Sequence, residues 1–215
     1  MNRKIRLKTP INENNFYYNE LATKITDDIF ENLNYRIKYD NTQYEWPYDL
    51  LIDKEDNLSY MNFTYAVDRI PSHEFTKNDI VGSSGLDEIC IPHVKIYMLM
   101  EERKWIKSRG FDYAQVLGVV AHELHHLAQD FDLVDYNIPD NISDYFLNPI
   151  EIEAFHVGFR AESDHSGKSV EDCIRKYLDN FLNDNRITKK EYENIVVKWL
   201  KPEIKLLKGV INNES

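Results

Sequence analysis

The chain has few cysteines, few glycines and few prolines. Its two cysteines, Cys90 and Cys173, are too few for the disulfide framework of a small secreted domain. Seven glycines and seven prolines in 215 residues are scattered, so neither a flexible linker nor a low-complexity tract is present. These scarcities favour one globular domain that spans residues 1–215.

Basic residues and long apolar runs are also scarce. The chain has 26 Lys and Arg against 37 Asp and Glu, a net charge of −11 that would repel a phosphate backbone. No apolar run has the length of a membrane span, and the basic start of the chain leads to Thr9 and Pro10 rather than to the apolar core of a signal peptide. We therefore expect a cytoplasmic protein that binds neither nucleic acid nor membrane.

The apolar pattern of the first half predicts helices and short strands. Residues 15–37 have the period of an amphipathic helix, and residues 49–53 and 58–67 are typical of two strands about a polar turn. Residues 88–92 are predicted as another strand, and residues 94–108 as a helix that Gly110 ends.

The second half is predicted to be helical. Asn148, Ser169 and Thr188 are good N-cap residues that precede apolar periods, and Pro202 is expected to interrupt the last helix. Helices outweigh strands, so the predicted fold class is α+β, with a small mixed or antiparallel sheet beside the central helix.

That central helix contains the sequence His122-Glu123-Leu124-His125-His126, the pattern H-E-x-x-H. Asp112 with Gln115 has the signature of a capping box, and no helix breaker separates it from the motif. Positions i and i+4 share one face of a helix, so His122 and His126 can bind one Zn²⁺. Glu123 can then reach a water on that ion as a general base.

A catalytic zinc needs a third protein ligand, and two carboxylates compete for that position. Glu151 and Glu153 both follow the predicted N-cap Asn148 and Pro149. They lie about 200° apart around a helix, so both cannot face one ion. Glu151 has an alternative role, because a glutamate at the third helical position often completes a capping box.

With this pattern the chain resembles the gluzincin metallopeptidases, whose third zinc ligand is a glutamate on a separate helix followed three residues later by a small residue. The compact ImmA/IrrE-like and minigluzincin-like members are the most similar in size. The resemblance implies that Glu151 is the ligand, with Ala154 as its small neighbour. Where some members place an aspartate that orients a zinc histidine, this chain has Phe155.

The same resemblance implies a zincin-like fold and a zinc-dependent peptidase that acts on a protein or peptide substrate. It also implies that a sheet edge near the motif helix holds the extended substrate by strand addition, for which residues 89–92 or 63–67 are the candidates. The alternative from another class is a non-catalytic zinc-binding module with a regulatory or protein-interaction role.

The remaining histidines and tyrosines carry weaker arguments. His125 lies about 60° from His122 around the helix and is not expected to be a ligand. Four residues after the motif have side chains that suit oxyanion stabilisation, although ordinary polar surface is the simpler interpretation for each: Tyr136, Tyr145, His156 and His165. No spacing argument supports a site role for His73 or His93.

Overall fold

The structure is a computed structural model, and it describes residues 3–7, 16–36, 44–54, 57–71, 79–86, 92–100, 112–128 and 141–213. The chain divides into two compact units, Met1–Ala128 and Gln129–Ser215. The expectation of one domain over residues 1–215 stays a prediction.

The helical part of the N-terminal unit consists of α1 (Phe16–Arg36) and α2 (Tyr113–Ala128). Both helices were predicted, and both bury an aliphatic stripe, because apolar residues recur at the 3.6-residue period. The buried residues are Leu21, Ala22, Ile25 and Ile29 of α1 and Ala114, Val116, Leu117, Val120, Ala121 and Leu124 of α2. The Tyr113 hydroxyl donates a hydrogen bond to Asp27 Oδ1 at 2.6 Å and so joins the two helices.

The backbone of the same unit has five strands: β1 (Arg3–Leu7), β2 (Tyr44–Lys54), β3 (Asn57–Pro71), β4 (Asp79–Leu86) and β5 (Pro92–Met100). They pair in the order β1-β2-β3-β5-β4. The pairs β1–β2 and β3–β5 are parallel, whereas β2–β3 and β4–β5 are antiparallel. Helix α2 contacts β4 and β5, which brings the motif helix against these two strands.

The strands change several local predictions. The predicted strands at residues 49–53 and 58–67 fall inside the longer β2 and β3. The predicted helix at residues 94–108 is wrong over its first part, because residues up to Met100 belong to β5, and residues 101–108 lie outside the described residues. A strand paired on both sides can be apolar on both faces, so its apolar run has no clear alternation and is easily mistaken for a helix.

The described part of the C-terminal unit, residues 141–213, contains four helices, α3 (Ile142–Phe146), α4 (Pro149–Ser166), α5 (Val170–Asn183) and α6 (Lys189–Asn213). The three predicted N-caps are confirmed. Asn148 Oδ1 accepts from the Ile150 amide at 3.0 Å, and Ser169 Oγ accepts from the Asp172 amide at 3.1 Å. Thr188 forms a full capping box, since its amide donates to Glu191 Oε2 at 2.7 Å and its Oγ1 accepts from the Glu191 amide at 3.3 Å.

An aromatic cluster forms the core of this unit. The ring of Trp199 stacks on Phe155 with centroids 4.3 Å apart and packs edge-on against Phe146 at 5.3 Å. Phe159 and Tyr177 complete the cluster. The indole Nε1 of Trp199 donates to the Phe146 carbonyl at 2.7 Å, so the largest buried side chain also satisfies a backbone acceptor.

The predicted α+β class with a small sheet beside the motif helix is wrong for the part of the chain whose side chains the structure describes. That part is 83% helical, with a single short strand and no sheet. Of the five strands, only residues 82–84 and Ile96 belong to it. The prediction gave too little weight to the helices that fill residues 141–213.

Two details of the C-terminal unit were also missed. The helix α3 was not predicted, because its five residues are too short to show a helical period. The expected interruption at Pro202 is wrong, since α6 continues through this residue to Asn213. A proline removes one amide donor from a helix, and tertiary packing can hold the helix on both sides of that loss.

Candidate metal centre

Helix α2 presents the H-E-x-x-H motif from a rigid, buried position. Asp112 Oδ1 accepts from the Ala114 amide at 3.1 Å and the Asp112 carbonyl accepts from the Val116 amide at 3.1 Å, which fixes the start of the helix. The predicted partner of Asp112 in a capping box was Gln115, whereas the bond found for the Asp112 side chain is to the Ala114 amide. The aliphatic stripe of α2 anchors the opposite side, so His122 and Glu123 are held at 8% and 5% exposure.

The two motif histidines converge through the same ring nitrogen. His122 Nε2 and His126 Nε2 lie 3.0 Å apart, with ring centroids 4.6 Å apart and planes at 83°. Two nitrogen ligands at about 2.0–2.1 Å from a tetrahedral zinc would be separated by roughly 3.3 Å. The pair is therefore within a few tenths of an ångström of the spacing that one ion requires.

Glu123 lies beside this pair without joining it. Its Oε1 is 3.9 Å from His122 Nε2, and its side chain is 7% exposed. A carboxylate at this distance is beyond direct contact with the histidine and still close to any water that shares the ion. This is the arrangement that a general base requires.

The competing carboxylates of α4 differ in burial. Glu151 is 4% exposed, whereas Glu153 is exposed. The capping-box role proposed for Glu151 needs the amide of Asn148, and that amide donates to the Tyr145 carbonyl at 3.1 Å. Burial and capping thus both favour Glu151 over Glu153 as the candidate ligand, and Ala154 behind it is fully buried.

The three predicted ligands have donor atoms that suit a metal ion. His122 and His126 bring two imidazole nitrogens together on α2, whereas Glu151 of the other unit stays a predicted ligand. Two imidazole nitrogens and one carboxylate oxygen are a donor set that zinc accepts in catalytic sites. The set alone does not identify the metal, because iron and manganese sites use the same donor types.

The other predicted site residues are distributed differently. His156 is 5% exposed, so the interpretation as ordinary polar surface is wrong for it, while His165 is exposed as that interpretation expects. Tyr145 packs its ring against Phe155 at 6.2 Å, and His125 is half-buried. Tyr136 and His73 lie outside the described residues, and of His93 the structure describes only the backbone.

Phe155 stands where some gluzincins have an aspartate, and its ring is part of the aromatic core. It stacks on Trp199 and therefore cannot orient a zinc histidine.

The segments named for strand addition are not supported either. Residues 63–67 belong to β3, which β2 and β5 pair on both sides, and Pro92 begins β5, which β3 and β4 pair on both sides. Residues 89–91 lie outside the described residues.

One residue near the site was not found from the sequence. Gly82 of β4 lies directly against the Glu123 side chain. It precedes the motif by some 40 residues of sequence, and a lone glycine in a strand carries no signal that would connect it with a helix so far along the chain.

In comparisons with known proteins, no family model, no curated protein and no solved structure matches the chain. In the described part of the chain, no helix has both the length and the apolar character needed to cross a membrane.

Proposed function

We propose that the protein is a zinc-dependent metallopeptidase of the gluzincin type that hydrolyses peptide bonds in a protein or peptide substrate. The observation that carries the proposal is the convergence of His122 Nε2 and His126 Nε2 to 3.0 Å with the buried Glu123 carboxylate beside them. A helix that only packed against its neighbours would gain nothing from placing a buried imidazole and a buried carboxylate beside a second, half-buried imidazole, because burial of polar groups costs desolvation.

The chain's residues have separate roles in this mechanism. His122, His126 and Glu151 would hold the ion. Bound zinc supplies Lewis acidity, which brings the pKa of a coordinated water towards neutrality and polarises the substrate carbonyl. Glu123 accepts the water proton on a carboxylate oxygen and returns it to the leaving amine.

The proposed location is the cytoplasm, where thiols stay reduced. Cys173 is a free thiol and is buried, in agreement with a chain that does not depend on disulfides.

The decisive experiment combines metal analysis with a single substitution. Wild-type protein purified without chelators should contain about one zinc per chain and cleave members of a mixed peptide library. Glu123→Gln should keep the zinc and the fold while hydrolysis falls by about a hundredfold or more, the usual contribution of a positioned base. Glu153→Gln, the same chemical change at an exposed site, is the matched control and should cleave at the wild-type rate.

Two results would contradict the proposal. Metal-free protein whose melting temperature is unchanged by added zinc would remove the metal site altogether. Stoichiometric zinc without cleavage of any library member would favour the non-catalytic zinc-binding module.

A further inference from the structure

Gly82 occupies a position where a side chain would meet the far end of the Glu123 side chain. It lies in β4, is half-buried, and belongs to the same unit as Glu123. A Cβ atom built on Gly82 would overlap Cγ, Cδ and Oε1 of Glu123. The carboxyl end of the Glu123 side chain therefore fills the volume that any other residue at position 82 would need.

Backbone conformation does not explain this glycine. Among the described residues, positive φ angles occur only at Asn185 and Gly167. Gly82 has a conformation that any residue could adopt, and a glycine inside a strand weakens the strand because it has no side chain to pack. The reason for glycine at position 82 is thus the close approach of the β4 backbone to Glu123.

We propose that Gly82 is a positioning residue, whose missing side chain lets the β4 backbone hold the Glu123 carboxylate beside the histidine pair. An alanine at position 82 would push the carboxylate away from its place or move β4 away from α2. The catalytic consequence rests on the proposed function, whereas the coupling between residues 82 and 123 does not.

The first test measures that coupling in metal-free protein, with four proteins: wild type, Gly82→Ala, Glu123→Ala and the double variant. Gly82→Ala should lower the melting temperature of the wild type by roughly 2–10 °C, the effect of overpacking in a chain of this size. In the Glu123→Ala background, Gly82→Ala should lower the melting temperature by less than about 1 °C, because the overlapping atoms of Glu123 are absent. Ser83→Ala, next to Gly82 on the other face of β4, is the control and should behave alike in both backgrounds.

The second test separates positioning from general loosening. With a peptide that the wild type cleaves, Gly82→Ala should lower kcat by about tenfold or more, since small displacements of a catalytic group have large effects on rate. KM and zinc affinity should stay within about twofold of wild type, because Glu123 binds neither the metal nor the ground-state substrate. Ser83→Ala should keep both kinetic constants.

The outcomes are distinct. If Gly82→Ala lowers the melting temperature equally in the two backgrounds, the inference is overturned. It is also overturned if residues 82 and 123 are coupled but Gly82→Ala has a wild-type kcat. If Gly82→Ala alone does not fold, recovery of folded protein in the double variant supports the inference, and failure of both overturns it. Coupling in a wild type that cleaves no peptide would overturn the proposed function while Gly82 still holds Glu123.

Discussion

Helices α4 and α6 pack against each other in one unit but bury different kinds of residue. In α6 the buried side chains are Tyr192, Ile195, Val196 and Trp199, which are apolar or aromatic. In α4 the buried set also includes Glu151, His156 and Glu162. Within the unit Glu162 has a partner, since its Oε1 lies 3.8 Å from Lys176 Nζ.

The difference indicates which buried groups serve the fold. Among residues 189–202 of α6, whose side chains the structure describes, no buried residue is charged, so this helix contributes to the core through apolar and aromatic groups. A buried carboxylate costs several kcal/mol unless it is paired or binds a metal. Under the proposed function, Glu151 on α4 and the motif residues on α2 belong to the metal site, and the two classes of residue should respond oppositely to mutation.

The largest effect on stability should come from the apolar class. Trp199→Ala removes the centre of the aromatic cluster and the hydrogen bond to the Phe146 carbonyl, and should lower the free energy of unfolding by about 3–5 kcal/mol in urea titrations. Trp199→Phe keeps an aromatic ring and should lower the free energy of unfolding by less than Trp199→Ala does. The zinc content of the folded fraction should be unchanged in both variants. Selective loss of zinc would contradict the division between apolar residues that stabilise the fold and polar residues that bind the metal.

The next effect concerns the polar class. Glu151→Gln removes the anionic donor and should weaken zinc affinity by about a hundredfold or more in a competitive chelator titration, while the metal-free protein melts at or above the wild-type temperature. Glu153→Gln, the matched exposed position on α4, should bind zinc like wild type. A destabilised metal-free Glu151→Gln would show that this carboxylate serves the fold, and the reverse ranking of the two variants would transfer the ligand role to Glu153.

A smaller effect is expected at a helix cap. Ser169→Ala removes the acceptor for the Asp172 amide at the start of α5 and should cost about 1 kcal/mol in unfolding free energy. Ser169→Asn keeps an acceptor and should be close to neutral. Neither change should alter zinc binding, so a metal effect would mean that α5 contributes to the site as well as to the core.

The smallest effect is a pH dependence. Burial, followed by the nearby Glu162 charge, raises the pKa of the Cys173 thiol from 9.0 to about 11. The folded state favours the neutral thiol, so its contribution to stability is complete below pH 9 and is lost as the pH rises through about 11. Alkylation at about pH 8.5, near the ordinary thiol pKa, should be slow at Cys173 in folded protein and fast in urea when followed residue by residue with mass spectrometry. Equal rates would contradict this.

The predictions from sequence were best where one local rule decides the outcome. The start of α2, the N-caps Asn148, Ser169 and Thr188, and the shared face of His122 and His126 follow from helical period and amide satisfaction, and the structure agrees with each. The choice of Glu151 over Glu153 came from the family resemblance and stays a prediction. The burial of Glu151 and the exposure of Glu153 could not be predicted, because burial depends on neighbours that local sequence does not specify.

The helix α3 was missed because it is too short to show a period. Two other errors share one physical cause. The strand β5 was taken for a helix and the fold class was wrong, because pairing partners and packing partners far along the chain override weak local preferences. Gly82 is the clearest example, since its role depends on a helix that begins some 30 residues later.

The hydrogen bond from Trp199 to the Phe146 carbonyl spans 53 residues of sequence. The last carbonyls of a helix have no donor within that helix, and for α3 one of them obtains its donor from α6. During synthesis, the Phe146 carbonyl at the end of α3 therefore lacks this donor until the chain has been made as far as Trp199. A chain shortened within α6 ahead of Trp199 should remain open and prone to aggregation, even though α4 and α5 are complete.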